Sequence, residues 1–335
     1  MLFLYKINLK LILKMKKITL LFFSMLFMTT QSLSQGTPSV KIFANYNADT
    51  ESDFKEFEIK RSYLGYSYKF DDKFSAKITF DVGSNSGGSA YTAFLKIASI
   101  NWKNSEKMSL NFGMIGTKNF KFMEKSWGKR YVEKSALDQY KWASSADAGI
   151  SGTYKVTEKI IVDAQLINGE GYKKSQTSDG VFRSGAGLTV KITDDLSCRL
   201  FRDNLPTAND TLETQTITSG AINYTGSNYN VGLERNIMQN EDHITNSMNR
   251  EILSLYGSIN LAGYTMFLRR DMISTSNKNI IQSGDGSAQI FGIEKQITKG
   301  VKIALNVRSW EDETLSDTVN SMEDRSVFLN VECKF

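Results

Sequence analysis

The stretch 117–144 carries Lys118, Lys121, Lys125, Lys129, Arg130, Lys134 and Lys141 against only Glu124, Glu133 and Asp138. Ammonium and guanidinium groups at that density offer little acid–base or nucleophilic chemistry at neutral pH. What they supply is a standing positive field that attracts anions. Residues of ordinary catalysis are scarce. The single histidine, His243, lies in the polar run "QNEDHITN", so an imidazole-based metal cluster is excluded. A wall-mounted Ser–His pair would need that histidine beside a nucleophile, whereas its neighbours predict a solvent-exposed ring. No enzyme, cofactor or metal site is expected. Cys198 and Cys333 are the only cysteines; both fall on apolar positions of alternating segments and read as small hydrophobes. "SGAGLTV" (184–190) lies inside an alternating run rather than ahead of a helix, so it is no phosphate cradle. Its glycines relieve crowding in a curved wall.

The elements that must carry these charges are strands. "KFSAKITFDVG" (73–83) sets Phe74, Ala76, Ile78, Phe80 and Val82 against Ser75, Lys77, Thr79, Asp81 and Gly83. "VKIALNVR" (301–308) and the final "SVFLNVECKF" (326–335) repeat the period-two pattern, which is that of a half-apolar strand. Connections are of two kinds. Short ones at 71–73, 104–107, 157–159, 193–195, 225–228, 262–263 and 298–300 alternate with long polar ones. The long ones fall at 47–54, 84–89, 117–144, 169–180, 204–214, 237–249, 273–286 and 311–324. Seven short and eight long connections imply about 16 antiparallel strands with both ends on the short-turn side.

Hydrophobic content of 41% and a mean hydropathy of -0.31 rule out a helical membrane bundle beyond the first residues. Residues 1–34 read as a signal peptide: Lys16-Lys17, the apolar "ITLLFFSMLFM" (18–28) and the small residues of "SLS" (32–34). Met15 offers an alternative start. The leader takes five of the 41 bases and none of the 36 acids, leaving 36 of each in residues 35–335. A nucleic-acid partner therefore loses its electrostatic basis. Strands of about 10 residues span a bilayer when tilted, and lipid demands that such a sheet close on itself. Tyr66, Tyr68, Phe70, Trp102, Tyr154, Tyr224, Tyr229, Tyr264 and Phe335 cluster near the short turns, as an interfacial girdle does. The expected fold is all-β: a transmembrane up-and-down barrel in the bacterial outer membrane.

Three stretches, "FEIKRSYLGYSYKFDDKFSAKITFDVG" (57–83), "EKSWGKRYVEKSALDQYKWASSADAGISGTYKVTEKI" (124–160) and "NGEGYKKSQTSDG" (168–180), resemble the porins of Bacteroidota, which are related to the phosphate-selective porins O and P. The resemblance implies a homotrimeric diffusion channel for small hydrophilic solutes with an anion, and at the extreme phosphate, preference. It also implies Phe335 as the terminal aromatic read by the barrel assembly machinery. General porins fold their third long loop into the lumen, which makes 117–144 the expected constriction, with Lys118, Lys121, Lys125, Lys129, Arg130 and Lys134 bordering the pore. The alternative is a solvated outer loop whose charges meet lipopolysaccharide phosphates. Inward parity assigns Arg61, Lys77, Arg183, Lys191, Arg199, Arg269, Lys302 and Arg308 to the lumen wall. Arg202 and Arg270 depart from parity and are expected at the loop-side rim. A reading from another class is an outer-membrane adhesin or assembly scaffold acting through its loops.

Overall fold

The computed structural model describes residues 36–83, 91–243, 249–275, 284–312 and 323–335; the expected signal peptide lies outside them. Sixteen strands follow in order: β1 (Gly36–Asp49), β2 (Lys55–Lys69), β3 (Phe74–Gly83), β4 (Thr92–Lys103), β5 (Met108–Gly116), β6 (Ala146–Lys155), β7 (Ile160–Ile167) and β8 (Arg183–Lys191). The second half holds β9 (Leu196–Leu205), β10 (Gln215–Thr225), β11 (Tyr229–Gln239), β12 (Arg250–Leu261), β13 (Tyr264–Thr275), β14 (Gly286–Thr298), β15 (Val301–Asp312) and β16 (Glu323–Lys334). Two short helices, α1 (Lys121–Trp127) and α2 (Ala136–Gln139), interrupt the β5–β6 connection. Each strand pairs antiparallel with its chain neighbours, and β1 pairs with β16 to close the barrel. The last residue joins that seam: Val40 and Phe335 exchange backbone hydrogen bonds of 2.8 and 3.1 Å.

The short turns are written locally. Asp71, Ser105, Thr157 and Thr193 each accept, through a side-chain oxygen, from the backbone N–H two and three residues on. These local contacts favour the turn conformation at four of the hairpins. At the β12–β13 turn Ala262 and Gly263 have φ of 51° and 81°, the left-handed pair that matches strand twist.

Side chains alternate as the sequence predicts. Leu64, Phe80, Phe112, Leu200, Leu268, Phe291 and Leu305 face outward and exposed, while Asp81, Asp147, Asp203, Asn236, Asp271 and Asn330 are buried inside. The girdle aromatics stand at the short-turn end, with Phe74 stacked on Trp102 at 6.0 Å and Tyr224 on Tyr229 at 5.3 Å. Both cysteines are free thiols. Arg202 and Arg270 lie within β9 and β13 on the outward face, between buried neighbours, rather than at the rim. Strict parity holds there, and the sequence expectation of a rim position is corrected.

Among the described residues parity is interrupted in β4 and in β2. The β3–β4 register jumps from Thr79↔Ile97 to Phe80↔Leu95, leaving Lys96 as the extra residue of a bulge. Lys96 consequently turns inward between Tyr63 and Tyr172, 4.9 and 5.2 Å from their ring centroids. In β2 the adjacent Lys60 and Arg61 both reach inward, to Glu133 and Asp81.

Candidate pore constriction and lumen wall

Residues 117–145 fold into the barrel and form its apolar interior. Phe120, Met123, Trp127, Tyr131, Val132, Ala136 and Leu137 are buried together with wall residues Phe43, Ile217, Ile252, Tyr256, Phe267 and Ile290. Trp127 meets the edges of Tyr256 and Phe267, each at 6.0 Å. Room for those two rings comes from opposite glycines. A Cβ at Gly232 would stand 2.3 Å from Tyr256, and one at Gly292 would stand 2.5 Å from Phe267. Arranged this way, the loop buries its aromatic face against the wall.

Polar ties fix the loop around the wall. Its backbone carbonyls are taken one after another by wall side chains: Lys118 by Arg199 at 3.1 Å, Tyr131 by Asn330 at 3.2 Å, Val132 by Arg308 at 2.8 Å and Trp142 by Arg183 at 3.4 Å. Asn230 takes the carbonyl of Ser126 and Arg269 that of Lys134. Carboxylates complete the arrangement. Tyr131 donates to Glu294 at 2.6 Å and Tyr140 to Asp271 at 2.8 Å; Glu133 accepts from Arg308 at 2.9 Å, with Lys60 at 3.8 Å. Burial opposes ionisation of Glu133, but Lys60 and Arg308 outweigh it and hold the carboxyl at about 2.

These ties divide the bases proposed from sequence into two groups. Arg183, Arg199, Arg269, Lys302 and Arg308 of the wall are paired with Asp203, Asp163, Asp271, Glu294 and Glu133. All but Lys302 also grip the loop backbone. Lys129 of the loop joins Glu294 at 3.5 Å, and Arg130 bonds Asp138 at 3.0 Å with Glu124 at 3.8 Å. Arg61 pairs with Asp81 at 3.1 Å. The remaining residues, Lys77, Lys118, Lys121, Lys125, Lys134 and Lys191, face no carboxylate within ion-pair distance among the described residues.

Two places in the lumen receive the unpaired bases. On the short-turn side the loop roofs a cavity of about 750 Å3, lined in part by Lys118, Lys121, Lys125 and Lys191, by the paired Arg199 and Asp163, and by Asp194 and Asp195. Lys118 donates to Thr153 at 2.8 Å. Burial, reinforced by the Lys121 charge, pushes its ammonium down to about 8. The other place lies towards β2–β4. There the loop 168–182 turns inward, Tyr172 donating to Asp81 while Gly169 and Gly171 donate to Asp147 at 2.7 and 3.1 Å. It brings Lys173 over the ring of Phe94 at 4.9 Å. Burial, then the charges of Arg61 and nearby lysines, push the Lys173 ammonium down to about 8, and burial lowers Lys134.

Lys60, Lys96, Tyr172 and Lys173 were not among the sequence candidates. For Lys96 a bulge hides the signal, and for Lys60 it is the neighbouring Arg61, because period-two counting assigns one of two adjacent residues outward. The sequence signal for Tyr172 and Lys173, the glycines of "NGEGYKK", leaves open which way the loop turns. His243 sits in an exposed turn, its Nδ1 2.8 Å from the Glu213 carbonyl oxygen. Among the described residues no three His, Cys, Asp or Glu side chains converge as metal ligands.

Solved structures share this architecture. The anion-selective porin from Comamonas acidovorans superposes with a TM-score of 0.64 at 10% identity, over 90% of this chain and 99% of that one. OprB of Pseudomonas putida gives 0.68 at 10% identity, over 91% and 96%. The outer membrane channel DcaP of Acinetobacter baumannii gives 0.60 at 12% identity, over 90% and 96%. The fold is that of the outer-membrane porins. No protein-family model and no curated protein sequence matches the chain. A closed 16-stranded barrel of porin fold, apolar outside and polar within, is a transmembrane barrel of the bacterial outer membrane. At this strand number side chains alone leave an aqueous lumen, which here the inward loop narrows.

Proposed function

We propose that the chain is a passive outer-membrane diffusion channel for small hydrophilic solutes with a preference for anions. The observation that carries the reading is a charge imbalance between the inward loop and the β2–β4 wall. Three acids there are held by arginines, Asp81 by Arg61 and Asp138 and Glu124 by Arg130; Glu133 is held by Arg308 and Lys60, and Glu56 and Glu58 accept from Asn47 and Asn45. Lys77, Lys96, Lys121, Lys134 and Lys173 have no such partner among the described residues. An ion pair contributes little net field, so the unpaired ammonium groups set the sign at the narrow part. Lys118, Lys121, Lys125, Lys129, Arg130 and Lys134 divide accordingly: Lys129 and Arg130 fix the loop, and the others face solute. The paired wall arginines hold the constriction in shape. Phosphate falls within the same preference as a doubly charged anion.

Planar-bilayer recording of purified protein tests this. Stepwise conductance and a reversal potential of anion sign in a KCl gradient are expected. Lys121→Glu and Lys134→Glu should each move that potential towards cations, and inorganic phosphate should reduce chloride current. A barrel that gives no steps is a loop-bearing adhesin or scaffold instead, and a cation-selective wild type refutes the charge argument. For assembly, we propose that Phe335, whose ring is exposed, is the end taken by the barrel assembly machinery, and that three copies associate.

A further inference from the structure

Four cations converge where the loop 168–182 meets the β2–β4 wall. Arg61 reaches in from β2, Lys96 from the bulge of β4 and Lys134 from the loop 117–145, and each acts on Lys173 of the loop 168–182. Lys96 and Lys173 share a ring, standing 5.2 and 5.8 Å from the centroid of Tyr172. Lys173 also lies 4.9 Å over Phe94. The acid facing this group, Asp81, is already engaged by Arg61 at 3.1 Å and by the Tyr172 hydroxyl. Among the described residues no carboxylate comes within ion-pair distance of Lys96, Lys134 or Lys173. Like charges gathered this closely oppose one another, and the direct relief is for one member to shed its proton.

Lys173 is that member, because it is the exposed one of the three lysines. Partial burial, then the Arg61 charge, holds its ammonium down at about 8, so about a tenth of it is free amine at pH 7. A lysine amine set beside other cations is an activated nucleophile, and those same cations favour an anion in its place. We propose that Lys173 is a modification site for carbon dioxide, its amine forming a reversible carbamate among the lumen cations. The Nζ lone pair attacks the carbon of CO2; the N–C bond forms as one C–O π bond opens to a carboxylate oxygen, and the nitrogen releases a proton to solvent. Counting the proton already lost by the ammonium, the side chain passes from one positive to one negative charge with two protons released and nothing oxidised or reduced. The carbamate then takes up the field of Arg61, Lys96 and Lys134, an attraction that an ammonium at this position cannot make. Lys118, on the short-turn side of the inward loop, is less suited. Its nitrogen is tied to Thr153 at 2.8 Å, and Asp163 is among the charges that face it. The inference rests on the side-chain cluster and holds whether or not the barrel conducts.

The full chain in detergent is equilibrated with isotopically labelled bicarbonate, the source of dissolved CO2, at about pH 8. Adducts are fixed by O-alkylation with a trialkyloxonium salt, and the digested protein is read by mass spectrometry. Lys174, the exposed neighbour in sequence, serves as internal control. Labelled carbamate on Lys173 should exceed that on Lys174 by at least about tenfold, the factor that one unit of pKa makes in free amine. Lys134→Gln removes one of the facing cations and should lower the adduct on Lys173 about threefold. Lys96→Gln should do the same and replaces the first variant if that one fails to fold. No labelled carbamate on Lys173 overturns the proposal. So does labelling no stronger than that of Lys174, or a yield that neither cation variant changes.

Discussion

Glu133 locks the inward loop, and Glu133→Gln should unlock it. The carboxylate lies 2.9 Å from Arg308 and 3.8 Å from Lys60 and also accepts from the Lys134 amide at 2.9 Å. Its pKa is displaced from 4.5 to about 2. A displacement of that size corresponds to about 3 kcal/mol favouring the ionised, docked state. Glutamine keeps the shape but leaves two buried cations uncompensated, a change of the kind that costs roughly 3–5 kcal/mol. The loss falls on the docking equilibrium of 117–145, because the hairpins of the wall do not depend on Glu133. Hydrogen exchange measures it. The α1 and α2 amides, including Gly128 on Glu124 and Gln139 on Ser135, should exchange about 100-fold faster in the variant, while wall amides stay protected. Acid should imitate the mutation in the wild type. A depressed carboxyl contributes its full stabilisation above the unfolded value near 4.5 and loses it as pH falls towards about 2. Single-channel current noise from loop motion should therefore rise across that window. Unchanged exchange in a correctly folded Glu133→Gln barrel, or noise flat between pH 4.5 and 2, would refute the lock.

Raising pH probes the anion preference from the other side. Lys118 and Lys173 sit at about 8, so both carry charge at pH 7 and lose most of it by pH 9.5; the reversal potential should shift towards zero over that span and return on reacidification. Gly232→Ala puts a methyl 2.3 Å from the Tyr256 ring and should destabilise loop docking by roughly 1–3 kcal/mol, seen as a change in tryptophan fluorescence around Trp127. Deleting Phe335 should lower the amount of barrel inserted in cells, whereas refolded protein lacking it should conduct like wild type.

Much of the architecture is legible in the residues because its rules are short-range. Turn residues such as Asp71, Ser105, Thr157 and Thr193 bond their own following amides, so hairpin positions are readable one after another. Period-two alternation then tells which face meets lipid. The placement of Arg183, Arg199, Arg269 and Arg308 inside the barrel was readable for the same reason. Their task was not: each ends on a loop carbonyl or carboxylate contributed from a distant part of the chain. Bulges mark the other boundary. Lys96 turns inward because β3 and β4 slip by one residue, and no local property of "FLKIA" announces that slip.

The sequence alone determined the sheet, its strand number, its inner and outer faces and the loop in which positive charge accumulates, because hairpin and pleat geometry are set by neighbours within a few residues. Tertiary structure decided which of those charges remain unpaired. The partners of Glu133, Tyr131 and Tyr140 lie on the far wall, and only closure of the ring brings wall and loop within reach of a hydrogen bond.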